Sequence, residues 1–314
     1  MALDLPLTDT VVMLRDALQR YLADNPRPGW QGLAQDLGLM GIGIPEQSGG
    51  TGGGAIERAV VIEALGPAMA GADWLAHHLA ATALARLAPG HALLPSLADG
   101  SARIALVLDP ALVAGGAKAD WLLLLDGSAA RLEAASAAER RIRTMFDGTE
   151  TADLTVPAAG GESLSGDLEE VRAWARLAWL TARCAECAGL MARMLDDTAH
   201  YLNQREQFGQ PIARFQVLRH RMADMHMASL KAGALTERAV LAEGTPGWDH
   251  AVSAATVETS DAVRIVCEGA VQLHGGMGVT EELELGGLFK RGLTIISSLG
   301  PRTAHLARHA ETSA

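Results

Sequence analysis

The sequence predicts a mainly α-helical protein in three parts: an N-terminal helical domain (residues 1–100), a reduced central β domain (101–165) and a C-terminal four-helix bundle (166–314). Three observations predict it. Long Ala/Leu/Met/Arg/Glu stretches favour helix. Aromatic residues make up only 4% of the 314 residues, which argues against an all-β sandwich. Strand-like texture is confined to about sixty residues after Ser101.

Taken in order, residues 10–24 place Val11, Leu14, Leu18 and Leu22 on one apolar stripe of a helix, which Pro26 and Pro28 end. A short helix fits Trp30 to Leu37. The glycine-rich stretch Gly41 to Gly54 reads as a loop, followed by a helix over 55–65. Residues 70–97 read as helix again, broken by Pro89 and Gly90. The runs RIALVL (103–108) and WLLLL (121–125) are short, apolar and bounded by Asp, Gly and Pro, as buried strands are. Asp147-Gly148 is a turn signal, and 153–156 fits one more strand. Beyond Leu168 the pattern predicts helices near 168–203, 212–243, 247–273, 281–291 and 300–311. Short breaks at Pro211, at residues 244–247 and at Gly275-Gly276 make neighbours antiparallel, as in a bundle.

Composition sets limits on function. Hydrophobic residues are 49% and charged residues 20%, enough for a sizeable core. The formal net charge of −11, with no basic run, argues against nucleic-acid binding. The three cysteines are Cys184, Cys187 and Cys267. The first two form a C-x-x-C inside helical sequence, with no preceding strand for a redox motif and no second ligand pair for zinc. Few cysteines, no basic-then-apolar leader and no uninterrupted apolar stretch of about 18 residues predict a cytoplasmic protein without a membrane span. His77-His78 lacks a third metal ligand, so no metal site is expected. Met222, Met225 and Met227 read as core filler. Glu281, Glu282 and Glu284 suit a helix start, where acids complement the dipole.

Three segments carry chemistry: LGLMGIGIPEQSGGTGGG (37–54), YLNQREQFGQPIARFQ (201–216) and QLHGGMGVTEE (272–282). Gly49 to Gly54 is not a dinucleotide loop, because Pro45 spoils the preceding strand, and no Gly-Lys-Ser/Thr follows for a P-loop. Arg205 offers a planar, always-charged fork of donors suited to a pyrophosphate. Phe208 offers a flat apolar plate. Gln207 and Gln216 can donate to phosphate or ribose oxygens. Gly275 and Gly276 let backbone approach a phosphate closely.

In this order and spacing the segments resemble the acyl-CoA dehydrogenase family over nearly the whole chain. The family's Arg-x-x-Phe-Gly, with Gln eleven positions after the Arg, appears as Arg205, Phe208, Gly209 and Gln216. Its Gln-x-x-Gly-Gly-x-Gly appears as Gln272, Gly275, Gly276 and Gly278. Its Gly-x-x-x-Pro-Glu-x-x-Gly-Gly-x-Gly appears as Gly41, Pro45, Glu46, Gly49, Gly50 and Gly52. The resemblance implies that Arg205, Gln207, Phe208, Gln216, Gln272, Gly275 and Gly276 hold the adenine half of an FAD shared with a partner subunit. It implies an acyl-CoA substrate desaturated between its α and β carbons.

The resemblance also shows departures. Most members carry their proton-abstracting glutamate in a Glu-Gly pair before the last helix, where this chain reads RGLTIISSLGPR (291–302) without a carboxylate. Others carry it on the first long C-terminal helix, where the matching stretch near Trp179 reads ARLAWLTAR, again without one. Glu186 lies too near Arg205 in sequence, and Glu169 and Glu170 too far. Nothing between Ser101 and Glu162 matches the family's Thr-Glu-Pro and Gly-Ser-Asp stretch. No catalytic residue is therefore expected in this chain. It resembles the short, base-lacking subunit of heteromeric, steroid side-chain type acyl-CoA dehydrogenases, working with a homologous partner. Two alternatives stand beside this: a self-sufficient homo-oligomeric dehydrogenase with a relocated base, and a flavin-free association scaffold.

Overall fold

The computed structural model describes residues 3–126, 129–279 and 284–312. The chain divides into two compact units. The first holds residues 1–8, 59–69 and 180–314; the second holds 9–58 and 70–179. Helices α2 (Ala55–Leu65) and α5 (Leu168–Gln204) run from one unit into the other.

In the second unit, α1 (Asp9–Asp24) buries Val11 and Leu18 as its stripe predicts. The expected helix at Trp30–Leu37 is in its main part a single π-turn, Gly32–Asp36. The Leu37 amide donates to the Gly32 carbonyl, and a side chain reaches in from α1 beside the turn. The Tyr21 hydroxyl donates to the Asp36 carboxylate at 3.0 Å, passing 2.1 Å from where a Cβ on residue 32 would stand. A side chain at residue 32 would have to displace the Tyr21 hydroxyl from this place. Residues 41–54 fold back on themselves through a bridge between Ile42 and Gly52. Helix α3 (Gly71–Leu87) is buried on nearly every side, as an apolar helix in a core must be. The short α4 (Leu94–Ala98) follows it.

Two small sheets complete this unit. β1 (Ile104–Val107) pairs in parallel with β3 (Trp121–Asp126), which pairs antiparallel with β4 (Ala129–Ala134), and that with β7 (Glu162–Leu164). Leu122 to Leu125 of β3 are all buried, so this strand is covered on both faces, as its uninterrupted apolar run implies. The other sheet has the order β2 (Val113–Ala114), β6 (Glu150–Thr155), β5 (Glu139–Thr144). The Asp147-Gly148 turn closes the hairpin between β5 and β6. A shared core of Val107, Val113, Leu122, Leu124, Ala152 and Leu154 lies against both sheets. The strands absent from the sequence reading are β2, β4, β5 and β7. β4 reads AARLEA, which favours helix in isolation, and pairing on both edges overrides that preference. β5 reads ERRIRT; it is an edge strand exposed along its whole length, so no apolar alternation marks it.

The first unit is helical. α6 (Gln216–Leu241) and α7 (Trp248–His274) lie side by side, with α8 (Leu285–Ser298) and α9 (Arg302–Glu311) against α7. α6 starts four residues later than expected, because Pro211 and a 3-10 turn at Ile212–Arg214 precede it. α8 runs further than the predicted 281–291, which places Arg291 mid-helix. Glu281 and Glu282 fall outside the described residues; Glu284 stands at the N-cap of α8 and pairs with Arg193 at 3.0 Å. Cys184, Cys187 and Cys267 are all buried, and burial pushes their thiols up, Cys184 to about 11 and Cys267 to about 12. Such thiols stay protonated and inert. Met225 is core filler as expected and Met222 is half-buried, but Met227 is 57% exposed because it lies on the reverse of the helix. No group of His, Cys, Asp and Glu among the described residues could hold a metal, and no described helix is long and apolar enough to cross a membrane.

Candidate functional site

At the end of α5 the chain turns sharply. The Arg205 amide donates to the Tyr201 carbonyl at 2.9 Å, and two short strands follow, β8 (Glu206–Gln207) and β9 (Gln210–Pro211). The register pairs Glu206 with Pro211 and Gln207 with Gln210, leaving Phe208 and Gly209 as a two-residue turn. Their φ angles are +54° and +76°. A two-residue hairpin turn of this hand wants left-handed residues such as Asn-Gly. Gly209 meets that requirement without strain, whereas Phe208 carries a Cβ in a sparsely allowed region. The ring is also 90% exposed, touching Phe215 edge-on at 6.0 Å between centroids. A large apolar side chain, strained and held in water, contributes little to folding. Outliers of that kind concentrate where function requires them.

The hairpin is closed by the Ile212 amide donating to the Arg205 carbonyl at 2.8 Å, and Gln216 then opens α6. Arg205, Gln207 and Gln216 are all exposed. Among the described residues, the Arg205 guanidinium and the Gln207 amide make no hydrogen bond or ion pair. The Gln216 amide meets only His220, at 3.5 Å.

The second motif group sits at the end of α7. Gln272, Gly275 and Gly276 are exposed, and a Cβ on either glycine would meet nothing within 4 Å. Gly275 has φ +60°, and its N–H donates to the Gln272 carbonyl. That amide is therefore engaged within the turn, and what the glycines offer is open space for close approach. Two residues tie the groups together. Tyr201 and His274 stack at 4.4 Å between centroids, and the Tyr201 hydroxyl donates to the His274 carbonyl at 3.3 Å. His274 is buried, with Nδ1 2.9 Å from the Ala270 carbonyl, so it is packed rather than presented. The sequence reading missed this Tyr201–His274 clasp. Its signal was position: Tyr201 lies one turn before Arg205, and His274 directly precedes Gly275.

The donor set fits the nucleotide end of a flavin: one unpaired guanidinium, three exposed side-chain amides, an aromatic face and a glycine opening. The carboxylate in the hairpin itself is the exposed Glu206, and the positions where the family carries its base hold none. Residues 291–302 run through α8, a buried Leu299 and the start of α9. Trp179 is half-buried in α5. Glu169 is an exposed partner of Arg172 at the start of α5, away from this hairpin in sequence. Glu186 is fully buried. Its Oε1 accepts from Arg291 Nε at 2.8 Å, and its Oε2 accepts from Arg183. Burial pushes this carboxyl up, but Arg291 and then Arg183 outweigh it, leaving it below the usual carboxylate range. A carboxylate saturated by two guanidiniums is a poor proton acceptor.

Comparison with known proteins decides the family. A model of the acyl-CoA dehydrogenase C-terminal domain matches residues 174–296, and one of the N-terminal domain matches residues 10–101. Over 295 residues the chain is 32% identical to acyl-CoA dehydrogenase IpdE2 of Mycolicibacterium smegmatis, covering 94% of this chain and 90% of that one. This chain belongs to the acyl-CoA dehydrogenase family. Solved structures agree on the fold. The ChsE4-ChsE5 complex from Mycobacterium tuberculosis contains a chain that superposes with a TM-score of 0.87 at 23% identity, covering 98% of both chains. A variant of the Tcur3481-Tcur3483 steroid ACAD gives 0.86 at 24% identity, covering 97% of this chain and 98% of that one. Within an acyl-CoA dehydrogenase architecture of helical, small β and helical regions, the exposed Arg205–Gln216 hairpin and the Gln272–Gly276 turn are where the family motifs fall.

Proposed function

We propose that this chain is the base-lacking subunit of a heteromeric, FAD-dependent acyl-CoA dehydrogenase. It lends a nucleotide grip to a homologous partner that supplies the proton-abstracting carboxylate. The observation that carries this reading is the hairpin: Phe208 is strained and exposed beside an Arg205 with no described partner. When bound, FAD would accept the hydride from the β carbon of an acyl-CoA thioester, giving a trans-2-enoyl thioester. The role of this chain is to bind and orient. Arg205 pairs with the pyrophosphate, Phe208 faces the adenine, and Gln207, Gln216 and Gln272 donate to ribose and phosphate oxygens. Gly275 and Gly276 keep the approach open. The saturated Glu186 and the acid-free stretch 291–302 support leaving proton abstraction to the other subunit. The steroid ACAD among the structural relatives supports a bulky, steroid side-chain type thioester as substrate.

The test is flavin absorbance of the chain expressed alone and with the homologous partner. Flavin that appears only in the mixed complex is the expected result. A yellow chain that dehydrogenates acyl-CoA by itself would falsify the reading. In the mixed complex, Arg205→Ala removes charge-assisted hydrogen bonds each worth about 1.5–3 kcal/mol. Flavin affinity should fall roughly 10- to 100-fold by titration, and unchanged occupancy would remove Arg205 from the grip. Phe208→Asn separates fold from function. Asn tolerates the left-handed turn, so thermal stability should hold or rise by up to about 1 kcal/mol while flavin affinity falls. A fall in stability without any change in flavin would make Phe208 structural.

A further inference from the structure

Helices α5 and α7 run parallel and in register. The Cys184 thiol lies 4.0 Å from the Thr256 hydroxyl, the Cys267 thiol 3.7 Å from the Met194 thioether, and the Tyr201 hydroxyl 3.3 Å from the His274 carbonyl. These partners stand 72, 73 and 73 residues apart, so the two helices advance together. α5 ends at Gln204 and α7 at His274. The Arg205 hairpin and the Gly275 turn therefore leave the same end of one helical unit.

Tyr201 and His274 form the last step of this ladder, and each is one short link from the grip. Tyr201 lies four residues before Arg205, on one helical face, and its carbonyl accepts from the Arg205 amide at 2.9 Å. His274 is bonded directly to Gly275, whose φ of +60° and ψ of −138° carry the chain out of the helix. The His274 carbonyl thus has no following helical turn to serve it, and the Tyr201 hydroxyl donates in place of the missing amide. The His274 ring is oriented by its own Nδ1, 2.9 Å from the Ala270 carbonyl. The Tyr201 ring lies on it with 24° between planes. The stack sets the separation of the two helix ends, and the hydroxyl stops them from sliding. Tyr201 is half-buried and His274 buried, while Arg205, Gln272 and Gly275 are exposed, so the pair lies beneath the grip. A nucleotide that bridges hairpin and turn feels their spacing as affinity, because a preset grip loses less freedom on binding.

We infer that Tyr201 and His274 are positioning residues for the flavin, acting through Arg205 and Gly275 by fixing the distance between the hairpin and the glycine turn. The inference rests on the flavin-grip reading above. The test is titration of FAD into the deflavinated, co-expressed complex, followed by flavin fluorescence, with thermal melts alongside. Tyr201→Leu and His274→Leu should each weaken FAD about five-fold, and the double variant about as much as either alone, because they break one contact. Tyr201→Phe keeps the stack and loses only the pin, so FAD should weaken about two- to three-fold with an unchanged melt. That variant carries the test if Tyr201→Leu fails to fold. In an Arg205→Ala background Tyr201→Leu should cost clearly less than in the wild type, since part of what it positions is gone. Full additivity there overturns the positioning role, and so does a lowered melting temperature with unchanged FAD affinity. Loss of FAD in Arg205→Ala but in neither Tyr201 variant removes the clasp and leaves the grip standing. A wild-type complex that takes up no FAD removes the grip and the clasp together.

Discussion

Replacing Glu186 with alanine should destabilise the protein by about 3–5 kcal/mol, the largest single-residue effect expected here. Glu186 on α5 is fully buried and accepts from Arg183 on its own helix and from Arg291 on α8. Without it, two buried guanidiniums lose the carboxylate that bridges them. The cost is the desolvation of those cations more than the loss of the pair itself. Chemical denaturation of wild type and Glu186→Ala, followed by circular dichroism, gives the number. Glu186→Gln should be milder, since the amide oxygen still accepts from one arginine. A loss below about 1 kcal/mol in both variants would mean that water reaches the cluster. The folded carboxyl sits below its usual range, so its contribution is present above the unfolded value and disappears as pH falls through the folded one.

The second large effect is acid instability set by two adjacent histidines on α3. His77 is held neutral between two backbone groups: its Nε2 lies 3.0 Å from the Leu97 carbonyl and its Nδ1 3.4 Å from the Ile104 amide. His78 stacks on Trp74 at 4.9 Å, with Nδ1 2.9 Å from the Ile42 carbonyl. Burial, before any other cause, lowers His77 to about 4 and His78 to about 3, with Arg103 and Arg58 respectively adding to the effect. The unfolded chain binds both protons near pH 6.5 while the folded chain does not. Stability is therefore complete above about 6.5 and falls with acidity by about 1.4 kcal/mol per pH unit per histidine. Thermal melts between pH 7 and pH 5 should show this fall. His77→Gln should lower stability at pH 7 yet roughly halve the pH slope. A flat profile in the wild type would show that the pair titrates in the folded state.

The parts of this fold legible in the sequence were those fixed by local periodicity. α1, α2, α5 and α7 fell within a few residues of their expected bounds, because each carries a continuous apolar stripe with Pro or Gly at its ends. The π-turn at Gly32–Asp36 was not legible, since one extra residue per turn leaves no mark in the apolar spacing of so short a segment. β4 was hidden by its helix-favouring composition, and β5 by its charge. At the site, the motifs named Arg205, Phe208 and Gln272. They could not reveal that Phe208 sits at positive φ, that the Gly275 amide is engaged, or that Tyr201 clasps His274. Those facts depend on which helix ends meet, and spacing along one chain does not encode that.

The charged edge strand β5 explains how so small a sheet stays out of trouble. Of the two edges of this three-stranded sheet, β2 has only two residues, and β5 offers the longer row of open backbone donors and acceptors, a template on which another molecule's strand could assemble. Here Arg140 donates to the carbonyls of Gly116 and Ala119, and Arg143 pairs with Asp153, while Arg141 stands exposed beside them. Three guanidiniums on six residues make stacking of identical edges electrostatically unfavourable. They act as gatekeepers against fibre-like growth, so the β region can be short without becoming adhesive.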